Sequence, residues 1–310
     1  MPLDAATTAF LTEMAASGAK PIHESTPEEV RALGSMLADL YGPGPEVAQI
    51  ADHTVSTPTG DFPVRVMFPE NPRGILIYYH GGGWVIGALD EYNTLGRKLA
   101  TQTGCTVVLP AYRLAPEHRY PTAADDAYAA LEWVAAHAAE LGGGDLPIIV
   151  AGDSAGGNLA AVTARRARDR RGPQIAMQVL VYPVTDADFD RPTYHLPENQ
   201  LLLSRDGMIW FWDHYLPDPA RRTEPDAAPL RAENLAGLPP TFMLLAEYDV
   251  LRDEGEAYAA RLQEAGVPIE TNVYEGQMHA FFTLVHFPAS AQAISDIAAA
   301  IDTHVFASTA

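Results

Sequence analysis

Two glycine-rich segments carry residue types that could do covalent chemistry. The first, Val150-Ala151-Gly152-Asp153-Ser154-Ala155-Gly156-Gly157-Asn158, puts a serine between glycines two residues away on either side. It lies between an apolar run of strand character, Ile148–Ala151, and a helical stretch over 155–170. A serine on such a strand-to-helix turn is held in a strained backbone conformation as an exposed nucleophile, and its neighbours must be small for strand and helix to approach. The helix start also aims free N–H groups and its positive end at charge developing beside Ser154. A turn that merely packs tightly would use the same glycines, so the rest of a catalytic set has to be found. The second segment, Tyr79-His80-Gly81-Gly82-Gly83-Trp84, follows the apolar run Ile75–Tyr79. Three consecutive glycines at a strand end let the backbone approach a ligand, and their N–H groups can serve an oxyanion together with that of Ala155. The spacing of Gly81, Gly83 and Gly87 does not match a dinucleotide fingerprint. His80 is read as structural, holding this loop by hydrogen bonds.

A serine nucleophile needs a base, and the base an orienting acid; in this strand–turn–helix setting the expected chain order is Ser, Asp or Glu, then His. Two later loops supply candidates at the C-terminal ends of strands, where the sites of open α/β sheets gather. One is Glu247-Tyr248-Asp249-Val250-Leu251-Arg252-Asp253-Glu254, after Leu244-Leu245-Ala246. The other is Glu275-Gly276-Gln277-Met278-His279-Ala280-Phe281-Phe282, after Val273-Tyr274. Asp249 is the expected acid. Its main rival, Asp253, sits where a helix begins and is accounted for by N-capping, and Glu247 is close enough to the strand to point elsewhere. His279 is the expected base, whereas His286 falls at or near the last helix, too far past the strand end. His23, His53, His137 and His304 read as solvated or capping groups.

The elements that must position these groups follow from periodicity. Strand-like runs occur at Val64–Phe68, Ile75–Tyr79, Thr106–Leu109, Ile148–Ala151, Met177–Val181, Thr241–Leu245 and Ile269–Tyr274. Helical stretches are expected over 90–103, 122–140, 155–170, 253–265 and near 288–305. Apolar strands alternating with helices predict a mostly parallel sheet covered on both faces. Too few residues separate the first two of these runs for a crossover helix, so the sheet is expected to begin antiparallel. The first forty-odd residues read as helices, with apolar positions at Phe10, Leu11 and Met14 and at Val30, Leu33, Met36, Leu37 and Leu40. Thr26-Pro27-Glu28-Glu29 supplies a helix start. Residues 187–235 contain no convincing strand and one aromatic-rich helix candidate, Met208–Tyr215, the pattern of a lid. The expected organisation is therefore 1–47 as the N-terminal part of a cap, 48–186 as the first part of the core, 187–235 as the cap insertion and 236–310 as the rest of the core.

Composition narrows the function classes. Forty acidic against twenty basic residues in 310 give a formal charge of −20. Such a surface repels phosphate backbones and anionic lipids, which argues against nucleic-acid and membrane partners. No apolar run is long enough to cross a bilayer, and the start Met-Pro-Leu-Asp has neither the basic residues nor the apolar stretch of a signal peptide, so a cytoplasmic protein is expected. The single cysteine, Cys105, rules out an internal disulfide framework and reads as a small buried hydrophobe.

Taken together, His80-Gly81-Gly82-Gly83-Trp84, Gly152-Asp153-Ser154-Ala155-Gly156-Gly157, Tyr112-Arg113-Leu114-Ala115-Pro116-Glu117-His118-Arg119-Tyr120-Pro121 and Asp249-Val250-Leu251-Arg252-Asp253-Glu254 resemble the hormone-sensitive-lipase-like esterases, the bacterial family IV carboxylesterases. The motifs span roughly 75–280, and the helical N-terminus suits the family's cap. The resemblance implies an α/β-hydrolase fold with an eight-stranded, mostly parallel sheet and helices on both faces. It implies Ser154 as nucleophile, Asp249 and His279 as its partners, and the N–H groups of Gly81, Gly82 and Ala155 as the oxyanion hole. Asp153 places the chain in the subgroup whose nucleophile motif reads GDSAGG. Two departures are Val250, where the family usually has proline, and Ala280, where glycine is common. If position 280 requires a positive φ, alanine costs about 1 kcal/mol there.

The implied activity is hydrolysis of short- to medium-chain acyl esters through an acyl-enzyme, with a small-molecule ester as partner, no metal and no cofactor. Dimerisation is plausible from the resemblance alone. Trp84, Phe281 and Phe282, with the aromatics around Trp210, are expected to line an apolar substrate pocket; the alternative for the Trp210–Tyr215 group is the cap's own core. A receptor-like binding member of the fold would lack the catalytic histidine, whereas Ser154, Asp249 and His279 are all present here. Amide or lactone hydrolysis remains an alternative reaction.

Overall fold

Apolar runs of five or six residues, such as Ile75–Tyr79 and Ile148–Asp153, are buried along their whole length because each sends alternate side chains to opposite faces of a covered sheet. The computed structural model describes residues 2–18 and 20–307. Its eight strands are β1 (Gln49–Thr57), β2 (Gly60–Phe68), β3 (Ile75–Tyr79), β4 (Thr106–Pro110), β5 (Ile148–Asp153), β6 (Met177–Val181), β7 (Thr241–Tyr248) and β8 (Ile269–Met278). They form one sheet in the order β1-β2-β4-β3-β5-β6-β7-β8. Pairing is antiparallel for β1 with β2 and for β2 with β4, and parallel from β4 through β8. One face, including Ile77, Tyr79 and Val150, is covered by helices α4 (Thr122–Ala136), α5 (Ala155–Arg170) and α7 (Arg252–Glu264). The other, including Leu76, Tyr78 and Ile149, meets α3 (Asn93–Thr103) and α8 (Pro288–Ile301).

The antiparallel start is present, but not between the strands expected to form it. The 60–68 and 75–79 runs are not neighbours; β2 pairs instead with β1 and β4. Strand β1 has no apolar signature in the sequence because it is an edge strand of mostly polar residues, with only Val55 buried. The helix expected over 122–140 stops at Ala136, where His137 forms the C-cap. Cys105 is buried in the core, and burial pushes its thiol up to about 11, so it behaves as the expected small hydrophobe.

Helices α1 (Ala5–Ser17) and α2 (Pro27–Tyr41) precede the sheet. Thr26 caps α2 in a reciprocal box with Glu29, as the Thr-Pro-Glu-Glu start predicts. Of the apolar positions expected on its inner face, Val30 is buried, while the side chains of Leu33, Met36, Leu37 and Leu40 lie outside the described residues. Arg31 of α2 donates from Nε to the Val85 carbonyl (2.9 Å) and from Nη2 to that of Ala115 (2.9 Å), and pairs with Glu117 at 2.8 Å. That contact holds the Glu117 carboxyl down at about 2.

The 187–235 insertion contains short 3₁₀ turns and helix α6 (Arg205–Tyr215), with no strand among its residues. Its two ends are fastened to each other. Buried Asp186 accepts from Arg191 (2.9 Å) and from Arg231 (2.8 Å), and Leu230 N donates to the Thr185 carbonyl (2.9 Å). Asn158 of α5 donates to the carbonyls of both Val184 (2.9 Å) and Ala227 (2.8 Å). Among the described residues no helix is long and apolar enough to cross a membrane.

One ion pair ties the loop after β4 to α4. Asp126, only 1% exposed, accepts from the backbone N–H of Arg113 (2.9 Å) and from its guanidinium (2.6 and 2.9 Å). Removing one partner of such a pair strands the other in a poorly solvated place. Asp126→Ala is therefore expected to lower stability by about 3 kcal/mol, and Asp126→Asn, which keeps an acceptor for the Arg113 N–H, by less. Urea unfolding of both variants checks this; equal losses would remove the assigned role of the carboxylate charge.

Candidate active site

Strands β5, β6, β7 and β8 are parallel neighbours, so the residues that follow β5, β7 and β8 emerge along one rim of the sheet. Ser154 follows β5, Asp249 follows β7 and His279 follows β8. The structure brings all three together. His279 Nδ1 lies 2.7 Å from Asp249 Oδ2, and Nε2 lies 3.0 Å from Ser154 Oγ. A carboxylate only accepts, so Nδ1 carries the hydrogen and Nε2 is left to accept from the serine hydroxyl. The second Asp249 oxygen accepts from Leu251 N (2.9 Å), and the Tyr182 ring packs on the imidazole at 4.5 Å. The exposed fractions of Ser154, Asp249 and His279 are 7%, 1% and 8%, so little solvent competes for these bonds.

Ser154 has φ 54° and ψ −118°, the strained turn expected of a nucleophile between strand and helix. The glycines around it are sterically required: a Cβ on Gly156 would lie 1.9 Å from the Tyr79 carbonyl oxygen, and one on Gly152 2.3 Å from that of Gly156. The rival groups are occupied elsewhere. Asp253 does not cap α7; its carboxylate accepts from Thr193 N (2.9 Å) in the insertion. Glu247 accepts from Gly276 N (2.6 Å), and His286 packs edge-on against Tyr41.

The oxyanion donors need one correction. Gly81 N–H is already committed, to Asp153 Oδ1 at 2.9 Å and the Tyr92 hydroxyl at 3.1 Å. The N–H groups of Gly82, Gly83 and Ala155 have no acceptor among the described residues. Gly82 and Gly83 have φ of +96° and +58°, which turns the loop so that these donors are not spent on a strand partner. The third glycine of the run, not the first, completes the set of free donors with Gly82 and Ala155. Asp153 is the group that diverts Gly81, and it also accepts from Tyr78 (2.7 Å). Burial pushes its carboxyl up to about 6, against the lowering effect of those donors and of His279. His80 is structural: it stacks on Tyr112 at 4.2 Å with Nδ1 on the Gly81 carbonyl (2.8 Å), and burial pushes it down to about 4.

The expected pocket residues lie in the core instead. Trp84, Phe281 and Phe282 have no exposed area. Trp84 stacks on Tyr215 (4.0 Å) and meets Trp212 (5.0 Å), Phe281 packs against Tyr182 and Tyr274, and Phe282 stacks on Tyr78. Their apolar character serves packing beneath the catalytic loops. Of the α6 aromatics, Phe211, Trp212 and Tyr215 are buried, while Trp210 keeps some exposure, as does the neighbouring Ile209. A cavity of about 360 Å³ is lined by Asp186, Ala187, Phe189, Ile209, Pro219, Arg222, Thr223 and Arg231. Its lining includes none of Ser154, Asp249, His279 or the glycine run. Nearer the serine, Val184 N donates to the Ser154 carbonyl (3.1 Å), and Phe211 packs against Gly83, where a Cβ would meet its ring at 2.1 Å. Among the described residues no group of His, Cys, Asp and Glu is arranged to hold a metal ion.

Two outcomes follow from this geometry. Ala280 has φ 71°, in the left-handed region where a Cβ is penalised. Ala280→Gly is expected to stabilise the fold by about 1 kcal/mol, read as a rise in the urea midpoint; a fall would show that the strain is absent. For Asp153 the folded-state value of about 6 exceeds the ordinary 3.8. Between those values the folded state keeps a proton that the unfolded state has lost, so this residue's contribution to stability falls as pH rises through that window. The stability of Asp153→Asn relative to wild type is expected to rise by on the order of 2–3 kcal/mol between about pH 3.5 and 7. A constant difference would mean that Asp153 titrates normally.

The chain was compared with known proteins. Residues 76–283 match a family model described as the alpha/beta hydrolase fold. The chain is 45% identical over 242 residues to the carboxylesterase NlhH of Mycobacterium tuberculosis, covering 75% of each chain. It is 37% identical over 272 residues to an ethyl acetate hydrolase of Pseudomonas putida, covering 85% of this chain and 86% of that one. Among solved structures, an ester hydrolase from the metagenome of Lake Arreo superposes with a TM-score of 0.91 at 36% identity, over 97% of this chain and 99% of the other. The hyperthermophilic esterase of Pyrobaculum calidifontis gives 0.91 at 36% identity, over 98% and 99%. With its fold, its motifs and these relatives in agreement, the chain belongs to the α/β-hydrolase fold family, among the hormone-sensitive-lipase-like esterases.

Proposed function

We propose that this carboxylic ester hydrolase is a serine carboxylesterase acting on short- to medium-chain acyl esters, with Ser154 as nucleophile, His279 as general base and acid, and Asp249 as orienting acid. The observation that carries the reading is His279 hydrogen-bonded at once to Asp249 and Ser154. His279 Nε2 takes the hydroxyl proton as Ser154 Oγ bonds to the ester carbonyl carbon. The resulting oxyanion is met by the N–H groups of Gly82, Gly83 and Ala155. Losing one such donor typically costs about 10²–10³ in rate. The tetrahedral centre collapses, the alkoxide leaves, and His279 returns the proton to it as alcohol. Water then gives a proton to His279 and attacks the acyl carbon, and Ser154 leaves with that proton, releasing the carboxylic acid. Asp249 holds the imidazole tautomer and stabilises its charged form in both halves.

Residues 1–47 and 187–235 form a cap over the rim of the sheet in this reading. The ethyl acetate hydrolase among the relatives supports a small ester as the substrate.

Hydrolysis of p-nitrophenyl esters of rising acyl length, with Ser154→Ala alongside, tests the assignment. Turnover should peak on butyrate or hexanoate, fall on long chains, and drop by at least about 10³-fold in the variant. Substantial turnover by Ser154→Ala would remove the serine from the chemistry.

A further inference from the structure

The 187–235 insertion is bonded to the loop that carries Asp249, not merely laid over it. Thr193 Oγ1 donates to the Val250 carbonyl (2.8 Å), Thr193 N to Asp253 Oδ2 (2.9 Å), and the Tyr194 hydroxyl to Glu254 Oε2 (3.2 Å). Asn199 reaches furthest. Its side-chain amide nitrogen donates to the carbonyl of Thr193 (3.1 Å) and to that of Asp249 itself (3.1 Å), and the residue is 2% exposed. Both neighbours are carbonyls and can only accept, so the orientation of this amide is forced: the NH₂ must face them.

Asp249 is thereby held at three atoms. Oδ1 accepts from Leu251 N, Oδ2 meets His279, and the backbone oxygen accepts from Asn199 (3.1 Å) and, from within the loop, from Arg252 N (3.3 Å). The first contact lies within the Asp249 loop, and the second is the working contact. Asn199 supplies the restraint that comes from the insertion. We propose that Asn199 is a positioning residue for the catalytic acid, fixing the peptide after Asp249 so that the carboxylate meets the His279 imidazole. The insertion is then part of the catalytic geometry as well as a cover. This rests on the serine-esterase reading above.

The test uses wild type, Asn199→Ala and Asn199→Asp in two assays on the same preparations. One is steady-state hydrolysis of p-nitrophenyl butyrate. The other is titration with a p-nitrophenyl alkylphosphonate: Ser154 Oγ bonds to phosphorus, one p-nitrophenolate is released per working site, and the serine proton passes to His279. The burst amplitude counts assembled sites, and its rate reports how well they work. For Asn199→Ala, kcat should fall about tenfold or more, with KM within about twofold and full burst amplitude reached more slowly. Asn199→Asp sets a carboxylate against two carbonyl oxygens and should fall further. Unchanged kcat, a rise in KM that accounts for the loss, or a burst amplitude that falls in step with kcat would overturn the proposal. If neither Asn199 variant folds, Asn199→Ser decides: it keeps a small polar side chain but shortens its reach to the Asp249 carbonyl, and an unchanged kcat there would equally overturn the proposal. A wild type that releases no p-nitrophenolate would instead sink the underlying esterase reading.

Discussion

The turn at Ser154 is the constraint around which the other elements are arranged. To leave β5 and enter α5 with the serine at φ 54°, the chain must bring helix and strand to a distance that no side chain permits at 152 or 156. That strain is sustained because β5 is buried along its whole length and α5 from Ala155 to Ala164, so that neither can relax separately. It is also not isolated. Trp84, Tyr182 and Ala280 have positive φ as well, and each lies on a loop that enters the site: after the glycine run, after β6, and beside His279. Backbone strain is concentrated where groups from four strand ends must converge, and the packed sheet bears its cost.

A second requirement is that some buried backbone donors stay unpaired. An unsatisfied N–H in a dry place is expensive, and a glycine-rich loop has many ways to satisfy its own. Asp153 settles which donor is committed. By taking the Gly81 N–H it pins the base of the loop, and the N–H groups of Gly82 and Gly83 are left without an acceptor among the described residues. Tyr92 and Tyr78 hold the same carboxylate and amide from the side. The residue beside the nucleophile thus shapes the donor array without touching the reacting atoms.

The sequence was legible where chemistry requires a particular residue type at a particular place in the chain. The nucleophile turn, the order Ser154, Asp249, His279 and the parallel β5–β8 rim follow from glycine spacing and strand–helix alternation. Three kinds of detail were not legible. Strand β1 carries no apolar pattern because it lies at the sheet edge, so pairing and not burial forms it. The identity of the free donors turned on a single side chain: only the contact between Asp153 and Gly81 shows that the first glycine is spent. Trp84, Phe281 and Phe282 were assigned to the pocket because aromatics beside catalytic motifs suggest ligand contact, yet loops under strain need large side chains beneath them for support. Asn199 had no sequence signal at all, since a lone asparagine between prolines and leucines reads as a turn residue.

The fastening of the insertion at its two ends has a consequence for how such proteins diversify. Asp186 with Arg231, Thr185 with Leu230, and Asn158 with both Val184 and Ala227 close the segment at its base, on groups belonging to or resting on the core. To the sheet, everything between is a loop whose ends are already joined. The entropy of such a closure grows only with the logarithm of length, about 0.6 kcal/mol for each doubling. Residues can therefore be gained or lost between the fastened ends while strand register and the turn at Ser154 are untouched. Where a stretch also reaches back to the Asp249 loop, as Thr193 and Asn199 do, that freedom ends. The segment is thus divided into a part whose length is free to drift and a part bonded to the Asp249 loop.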